Sequence, residues 1–550
     1  MQRASTIATL VWLIALVMNV TPQAEQPLVP RPAPHANVLF KTADTCMACH
    51  NGLTTSAGED ISIGTDWRGS IMAHSSRDPY WQAAVRRETI DHPQAAAEIE
   101  DECAVCHMPM ARAEANARGR TAEVFARLPV NERGEAADLL AYDGVSCAMC
   151  HQISSQKLGT PESFSGGFVL DVTKADDPPA VFGPFEIDSG RRRIMQSSAG
   201  FLPTESVHMR QSELCATCHT LYTNALGPQG EVVGRLAEQV PYLEWRHSAF
   251  PTEEQTCQSC HMPVVREETA ITSVLGTPRQ GVARHVFRGG NFFMLRMLHR
   301  YRAELGVKAL PQELDAAARW TEQQLQSETA AISIDRAVVA GGRLEADVTV
   351  RNLAGHKLPT GYPSRRVWLE LIVTDGAGRA VFQSGGVSAS GLIEGNDNDA
   401  DATQFEPHYA EIRRADEVQI YESMMVDSAG AVTTGQLKSV RYIKDNRLLP
   451  RGFDKSTASA DIAVLGAAAP DPDFLGGADR IRYTIDLADA AGPYTVEATL
   501  RFQPIAYRWA QNLKPYDAVE TRRFVAYYES MSAAATAVLA RATASAGDRF

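Results

Sequence analysis

Three things are missing from this 550-residue sequence. It has no excess of positive charge: 53 Lys and Arg stand against 66 Asp and Glu, a formal net charge of −13. A surface built to neutralise phosphates is therefore disfavoured, and no nucleic acid partner is expected. It has no apolar run long enough to cross a bilayer comfortably, because Ile7 to Val20 falls short of the roughly 20 residues a spanning helix needs. And it has no unpaired cysteine: all 10 fall in pairs, and none follows Cys260. With 44% apolar and 22% charged residues, the balance is that of a soluble globular protein, long enough for two or more domains.

The N-terminus reads as an export signal. Arg3 precedes the apolar run and a cleavage site lies near Ala24, so residues 1–24 are expected to be a signal peptide. Contact with a membrane is expected only if that segment stays uncleaved. A proline-rich tether follows over residues 25–40, extended rather than folded.

The cysteines carry the chemistry. Each pair has two-residue spacing and is followed at once by histidine: Cys46, Cys49 and His50; Cys103, Cys106 and His107; Cys147, Cys150 and His151; Cys215, Cys218 and His219; Cys257, Cys260 and His261. Cys-x-x-Cys-His is the attachment signature of c-type haem. Two thiols add to the porphyrin vinyl groups, and the adjacent imidazole becomes the proximal iron ligand. With 14 histidines in the chain, five such coincidences have a chance on the order of 10⁻⁸. A disulfide framework has no use for the trailing histidine, and zinc would need scattered third and fourth ligands five times over. Five covalent haem c groups are expected, crowded between residues 46 and 261, with the rings supplying much of the core.

Each iron has a second axial position. His208 lies shortly before Cys215, and His285 precedes Phe287, Gly289 and Gly290, where glycine lets backbone approach a ring. His74 lies between Trp67 and Trp81, and His247 follows Trp245. His356 sits in Gly355-His356-Lys357-Leu358-Pro359-Thr360-Gly361-Tyr362-Pro363, a loop stiff enough to push the imidazole towards an iron. His408, beside Pro407, has a weaker case of the same kind. The candidate distal ligands are thus His208, His285, His356, His74 and His408. His299 fits a propionate contact, His92 and His35 read as solvated, and Met72 is a competing ligand. The acidic run Glu394, Asp397, Asp399 and Asp401 departs from a calcium loop at its turn glycine and its bidentate glutamate, and reads as a solvated loop.

Local patterns place these motifs. Asp78-Pro79 opens a helix to about Glu88, Phe292 to Leu305 forms another closed by Gly306, and Pro311 opens a third to about Gln326. No long strand is expected before about residue 325. Beyond residue 328 the pattern alternates with period two, as in Leu344, Ala346, Val348 and Val350, in Val367 to Val373, and in Val496 to Phe502. The fold class is therefore α+β. A mostly helix-and-loop multihaem c domain (41–327) precedes an antiparallel β-sandwich-like domain (328–519) and a C-terminal helix and tail (520–550).

These motifs, with Ser212 to Tyr222, Glu238 to Trp245 and the Gly-His-Lys-Leu-Pro-Thr-Gly-Tyr-Pro segment, resemble the exported bacterial multihaem c-type cytochromes that carry a C-terminal β-domain. That resemblance implies electron transfer between redox protein donors and acceptors in the periplasm or outside the cell. The alternative is a multihaem oxidoreductase with one open iron acting on nitrite or hydroxylamine. Against it, all five motifs end in histidine, where the usual catalytic motif of pentahaem nitrite reductases ends in lysine.

Overall fold

The computed structural model describes residues 39–129, 136–171, 178–487 and 492–546. The expected signal peptide, most of the tether and His35 lie outside the described residues. No helix among those described is long and apolar enough to cross a membrane.

The first half is built from short helices interrupted by loops, as its sequence requires. The Asp78 carboxylate accepts from Tyr80 N at 2.8 Å and Trp81 N at 3.2 Å, and Pro79 occupies the first turn. Together they start the helix Pro79–Asp91 where a cap and a donorless residue cost least. The helix Phe292–Arg300 buries Phe292, Phe293, Met294, Leu295, Met297 and Leu298, and Pro311–Ser327 follows. One expectation fails here. Leu221–Leu226 and Val232–Gln239 form an antiparallel hairpin, a strand of eight residues well before residue 325.

The second half holds three sheets: a small one of Ser423–Asp427, Val432–Thr433 and Ser439–Asp445, and two larger antiparallel-dominated ones packed face to face. One holds Ala330–Ala340, Arg343–Asn352, Ala478–Asp486 and Glu411–Ile412; the other is centred on Arg366–Thr374 and Tyr494–Gln503. Inward residues of the first, Leu344, Ala346, Val348 and Val350, share one buried cluster with Val367, Leu369, Leu371, Val496 and Leu500 of the second. That shared core is the physical content of the sandwich. It runs without a break into Phe292, Phe293 and Tyr80 of the first half, and Leu39–Phe550 forms one compact unit. The expected boundary at 327/328 falls inside that unit, between the helix Pro311–Ser327 and the strand Ala330–Ala340.

The C-terminus differs from the expected long helix. Val519–Met531 is helical, but Ala537–Ala546 is a strand paired antiparallel to Tyr494–Gln503. Its alanine-rich sequence favours helix locally. The open edge of the sheet and the burial of Ala537 and Leu539 decide otherwise, since strand preference is set by what a surface has to pack against.

A charged clasp joins the halves. Glu244, in the helix Pro241–Arg246, accepts from Lys357 N at 3.1 Å and Thr360 Oγ1 at 2.5 Å, and pairs with Arg447 at 2.8 Å. Lys357 is fully buried and pairs with Asp445 at 2.7 Å. A buried ion pair is tolerable only with such additional bonds. The result fixes the loop that carries His356 against the first half.

Candidate functional site

All five Cys-x-x-Cys-His motifs line one continuous cavity of about 1580 Å³, together with His285 and His356. A small-molecule pocket typically holds roughly 300–1,000 Å³, so this space suits several large groups rather than one substrate.

The motifs are interleaved in space. Cys46 lies within hydrogen-bonding reach of Cys147, Cys106 of Cys218, and Cys215 of Cys257. The first motif is therefore beside the third, the second beside the fourth, and the fourth beside the fifth. Gly144 (φ +64°), just before the third motif, lets the chain pack against the segment that holds His74, because a Cβ there would come within 2.9 Å of the carbonyl oxygens of Met72 and Ala73.

Four of the five motif histidines bond through Nδ1 to a backbone carbonyl. His50 meets Ile271 O at 2.6 Å, His107 meets Ser75 O at 2.9 Å, His151 meets Phe182 O at 2.5 Å, and His261 meets Arg288 O. A carbonyl only accepts, so each Nδ1 carries the proton and each Nε2 keeps its lone pair for a metal. Burial pushes His107 down to about 4 and also lowers His151 and His261. These imidazoles are thus neutral, which is the ligating form.

Two pairs of imidazoles face one another. The His151 and His285 ring centroids are 6.4 Å apart with planes 17° from parallel, and those of His261 and His356 are 6.2 Å apart at 15°. A metal bonded at about 2 Å to one nitrogen of each ring would hold two imidazoles at about this span. Each added ring is again oriented through Nδ1, His285 by Ala283 O at 3.1 Å and His356 by Lys357 O at 2.9 Å. Burial lowers both, His285 to about 3.

The remaining candidates separate. His74 is 2% exposed, does not itself line the cavity although Met72 and Ser75 beside it do, and neither ring nitrogen completes a hydrogen bond. Burial, then the charge of Arg77, lowers it to about 3, with the Arg68 backbone acting in the opposite direction. His208 is buried, but Ser206 Oγ lies 2.6 Å from Nδ1 and Ile153 O lies 2.9 Å from Nε2. Both ring nitrogens are engaged, and the structure does not bring it to the cavity wall.

His408 is also away from the cavity, inside the sandwich half. Its Nδ1 faces Gln419 Nε2 at 2.8 Å and Asn446 Nδ2 at 3.1 Å. Both amides are oriented by backbone donors, because Tyr409 N bonds Gln419 Oε1 and Glu422 N bonds Asn446 Oδ1. Nδ1 must therefore accept, and Nε2 carries the proton and donates to Asp471 at 3.1 Å. His408, Asp471 and Asp479 converge as metal ligands would, but this tautomer leaves His408 no lone pair for an ion or a haem iron.

Other readings change as well. His92 is buried, not solvated, with Nε2 unpartnered. His299 pairs with Asp315 at 2.9 Å, and His247 Nε2 meets Asp454 O at 2.9 Å. Met72 does line the cavity. Asp399 of the acidic run is buried and clasped by Arg366 at 2.8 Å, so that run is not wholly solvated.

Sequence reasoning missed three features. Trp81 stacks on His107, centroids 4.4 Å apart and planes 3° from parallel. The carbonyls that orient the rings carry no side-chain signal at all. Arg365, in the loop segment following His356, also lines the cavity.

No family model and no curated protein matches the chain. Its fold is similar to the crystal structure of a penta-heme cytochrome c552 from Thermochromatium tepidum, with a TM-score of 0.50 and 16% sequence identity over 92% of this chain and 99% of that one.

Proposed function

We propose that this chain is a multihaem c-type cytochrome that carries electrons between redox partners outside the cytoplasm through five covalently bound haems. The observation that carries the reading is that every Cys-x-x-Cys-His motif opens onto one cavity, where two of their histidines face a second imidazole at 6.2 and 6.4 Å. The donor set fits the group: paired thiols for thioether bonds, neutral imidazoles with Nε2 free, and enclosing walls. When bound, the haems supply reversible one-electron chemistry at iron.

In this reading Cys46, Cys49, Cys103, Cys106, Cys147, Cys150, Cys215, Cys218, Cys257 and Cys260 hold the porphyrins, and His50, His107, His151, His219 and His261 are the proximal ligands. His285 and His356 are distal ligands to the irons of His151 and His261. His74, buried with two unpartnered nitrogens, is a further distal ligand. The carbonyls on Nδ1 fix each tautomer and raise ligand basicity. The formal charge of −13 favours partners with basic docking surfaces, and the N-terminal signal favours the periplasm or the cell exterior.

The multihaem oxidoreductase reading rests on His219. No imidazole faces it among the described residues, as none faces His50 or His107, and it alone of the five lacks a carbonyl on Nδ1 there, so its iron is the one this reading leaves open. Low-temperature EPR of the oxidised holoprotein, with haem content measured alongside, tests both readings. Five haems with low-spin signals only support the carrier. A high-spin signal worth one whole haem that responds to nitrite or hydroxylamine supports the oxidoreductase. Absence of covalent haem overturns both.

A further inference from the structure

Several buried cations in this protein are answered by carboxylates, whereas one cation on the cavity wall is not. Lys357 has Asp445, Lys444 has Glu422, and Arg447 has both Asp445 and Glu244. Adjacent arginines show the contrast directly. Arg366 is clasped by Asp399 at 2.8 and 2.9 Å and bonds Gln503 at 2.8 Å. Arg365 donates from Nη1 to Thr360 O at 2.7 Å, and no described carboxylate pairs with it. Burial pushes its guanidinium below the usual arginine value, with no acidic neighbour to raise it again.

A guanidinium has five donors and remains charged under all ordinary conditions. Half-buried on the cavity wall with one backbone acceptor, it is suited to an anion, because a charge withdrawn from water without a partner is strongly disfavoured. The chain makes room for this placement. Gly361 has φ +83°, and a Cβ there would stand 2.9 Å from Arg365 Nη1, so glycine is what lets the guanidinium lie against the turn. Arg365 lines the cavity and its charge acts on both His219 and His356. His219 is also the motif histidine for which no carbonyl bond to Nδ1 is found among the described residues.

We propose that Arg365 is an anion anchor in the cavity beside His219, taking a carboxylate or a small inorganic oxyanion in a charge-assisted, fork-shaped pair. Two sources share that chemistry: a carboxylate of the porphyrin held at Cys215 and Cys218, or a free oxyanion entering from solvent. The proposal rests on the haem reading above.

The test uses full-length holoprotein carrying Arg365→Gln, with Arg365→Lys as the variant that keeps the charge and folds if the first does not. Pyridine haemochrome assay comes first: a protein without covalent haem fails at the haem reading itself, whereas a loaded protein tests Arg365. If the anion is the porphyrin's own carboxylate, Arg365→Gln shifts the midpoint potential of one haem to a more negative value, Arg365→Lys shifts it less, and added sodium nitrite leaves the wild-type spectrum unchanged. If the anion is free, nitrite causes a saturable spectral change in the wild type, weakened on the order of tenfold to a hundredfold in Arg365→Gln, the loss expected for one charge-assisted bond. Either result supports the anchor. Loaded variants with all potentials unchanged and a nitrite response identical to wild type overturn it.

Discussion

His261 and His356 stand with ring centroids 6.2 Å apart and planes 15° from parallel, although one belongs to the last Cys-x-x-Cys-His motif and the other to a loop of the sandwich half. The β-half thus does more than cover the cavity. Its rigid Gly-His-Lys-Leu-Pro loop delivers an imidazole to the opposite side of the position that His261 faces.

Replacing His356 with alanine is expected to leave five covalent haems and convert one of them from low to high spin, because the proximal bond through His261 remains. EPR of the oxidised variant reads this directly. An unchanged low-spin spectrum would show that His356 is not a ligand. His285→Ala is expected to do the same to the iron of His151, and the double variant to show two such conversions.

Lys357→Met should reach the same iron indirectly. Lys357 is fully buried and holds Asp445 at 2.7 Å. Removing it leaves Asp445 to Arg447 alone, at a cost of about 3 kcal/mol. The expected outcome is a lowered denaturation midpoint together with a partial high-spin population, because the His356 loop loses its clasp. Lower stability with a purely low-spin spectrum would separate the clasp from ligand positioning.

Trp81 lies flat on His107 at 4.4 Å. Trp81→Ala is expected to destabilise the protein by about 3–5 kcal/mol, and to alter the potential of the haem proposed at Cys103 and Cys106 while haem content stays as in the wild type. Spectropotentiometry and thermal denaturation check the two halves of this prediction separately.

Asp479 gives a pH dependence with a definite sign. Burial raises its carboxyl from 3.8 to about 7, so between those values the folded state keeps a proton that the unfolded state releases. Its stabilising contribution is complete below pH 3.8 and is lost as pH rises through about 7. His408, lowered from 6.5 to about 4 mainly by burial, acts in the opposite sense between those values. Comparison with Asp479→Asn isolates the carboxyl: the variant should show a flatter decline in denaturation midpoint between pH 4.5 and 7.5 (roughly the window set by these shifts). A decline as steep as the wild type would remove Asp479 as its source.

Much of the site was legible because attachment chemistry is local. In the proposed haem reading two thiols and an imidazole must lie close in sequence to serve one ring, so Cys46 to His50 announces itself without any fold. His285 and His356 were visible for a related reason, since each sits among glycines or prolines that constrain the backbone. His208 and His408 carried similar local signals and went elsewhere. Their partners, Ile153 O for one and Gln419 with Asn446 for the other, come from distant parts of the chain.

The sequence by itself determined the five Cys-x-x-Cys-His motifs and their spacing, the change to alternating strands after residue 328, and the acidic charge, because each depends on residue type and short spacing. Tertiary structure decided which motif lies beside which, which histidines face each other, the tautomer of each ring, and the strand Ala537–Ala546. Those depend on backbone carbonyls, sheet edges and burial contributed by residues far apart in the chain. Such contributors leave no local signature, so only packing could select among histidines that are alike in sequence.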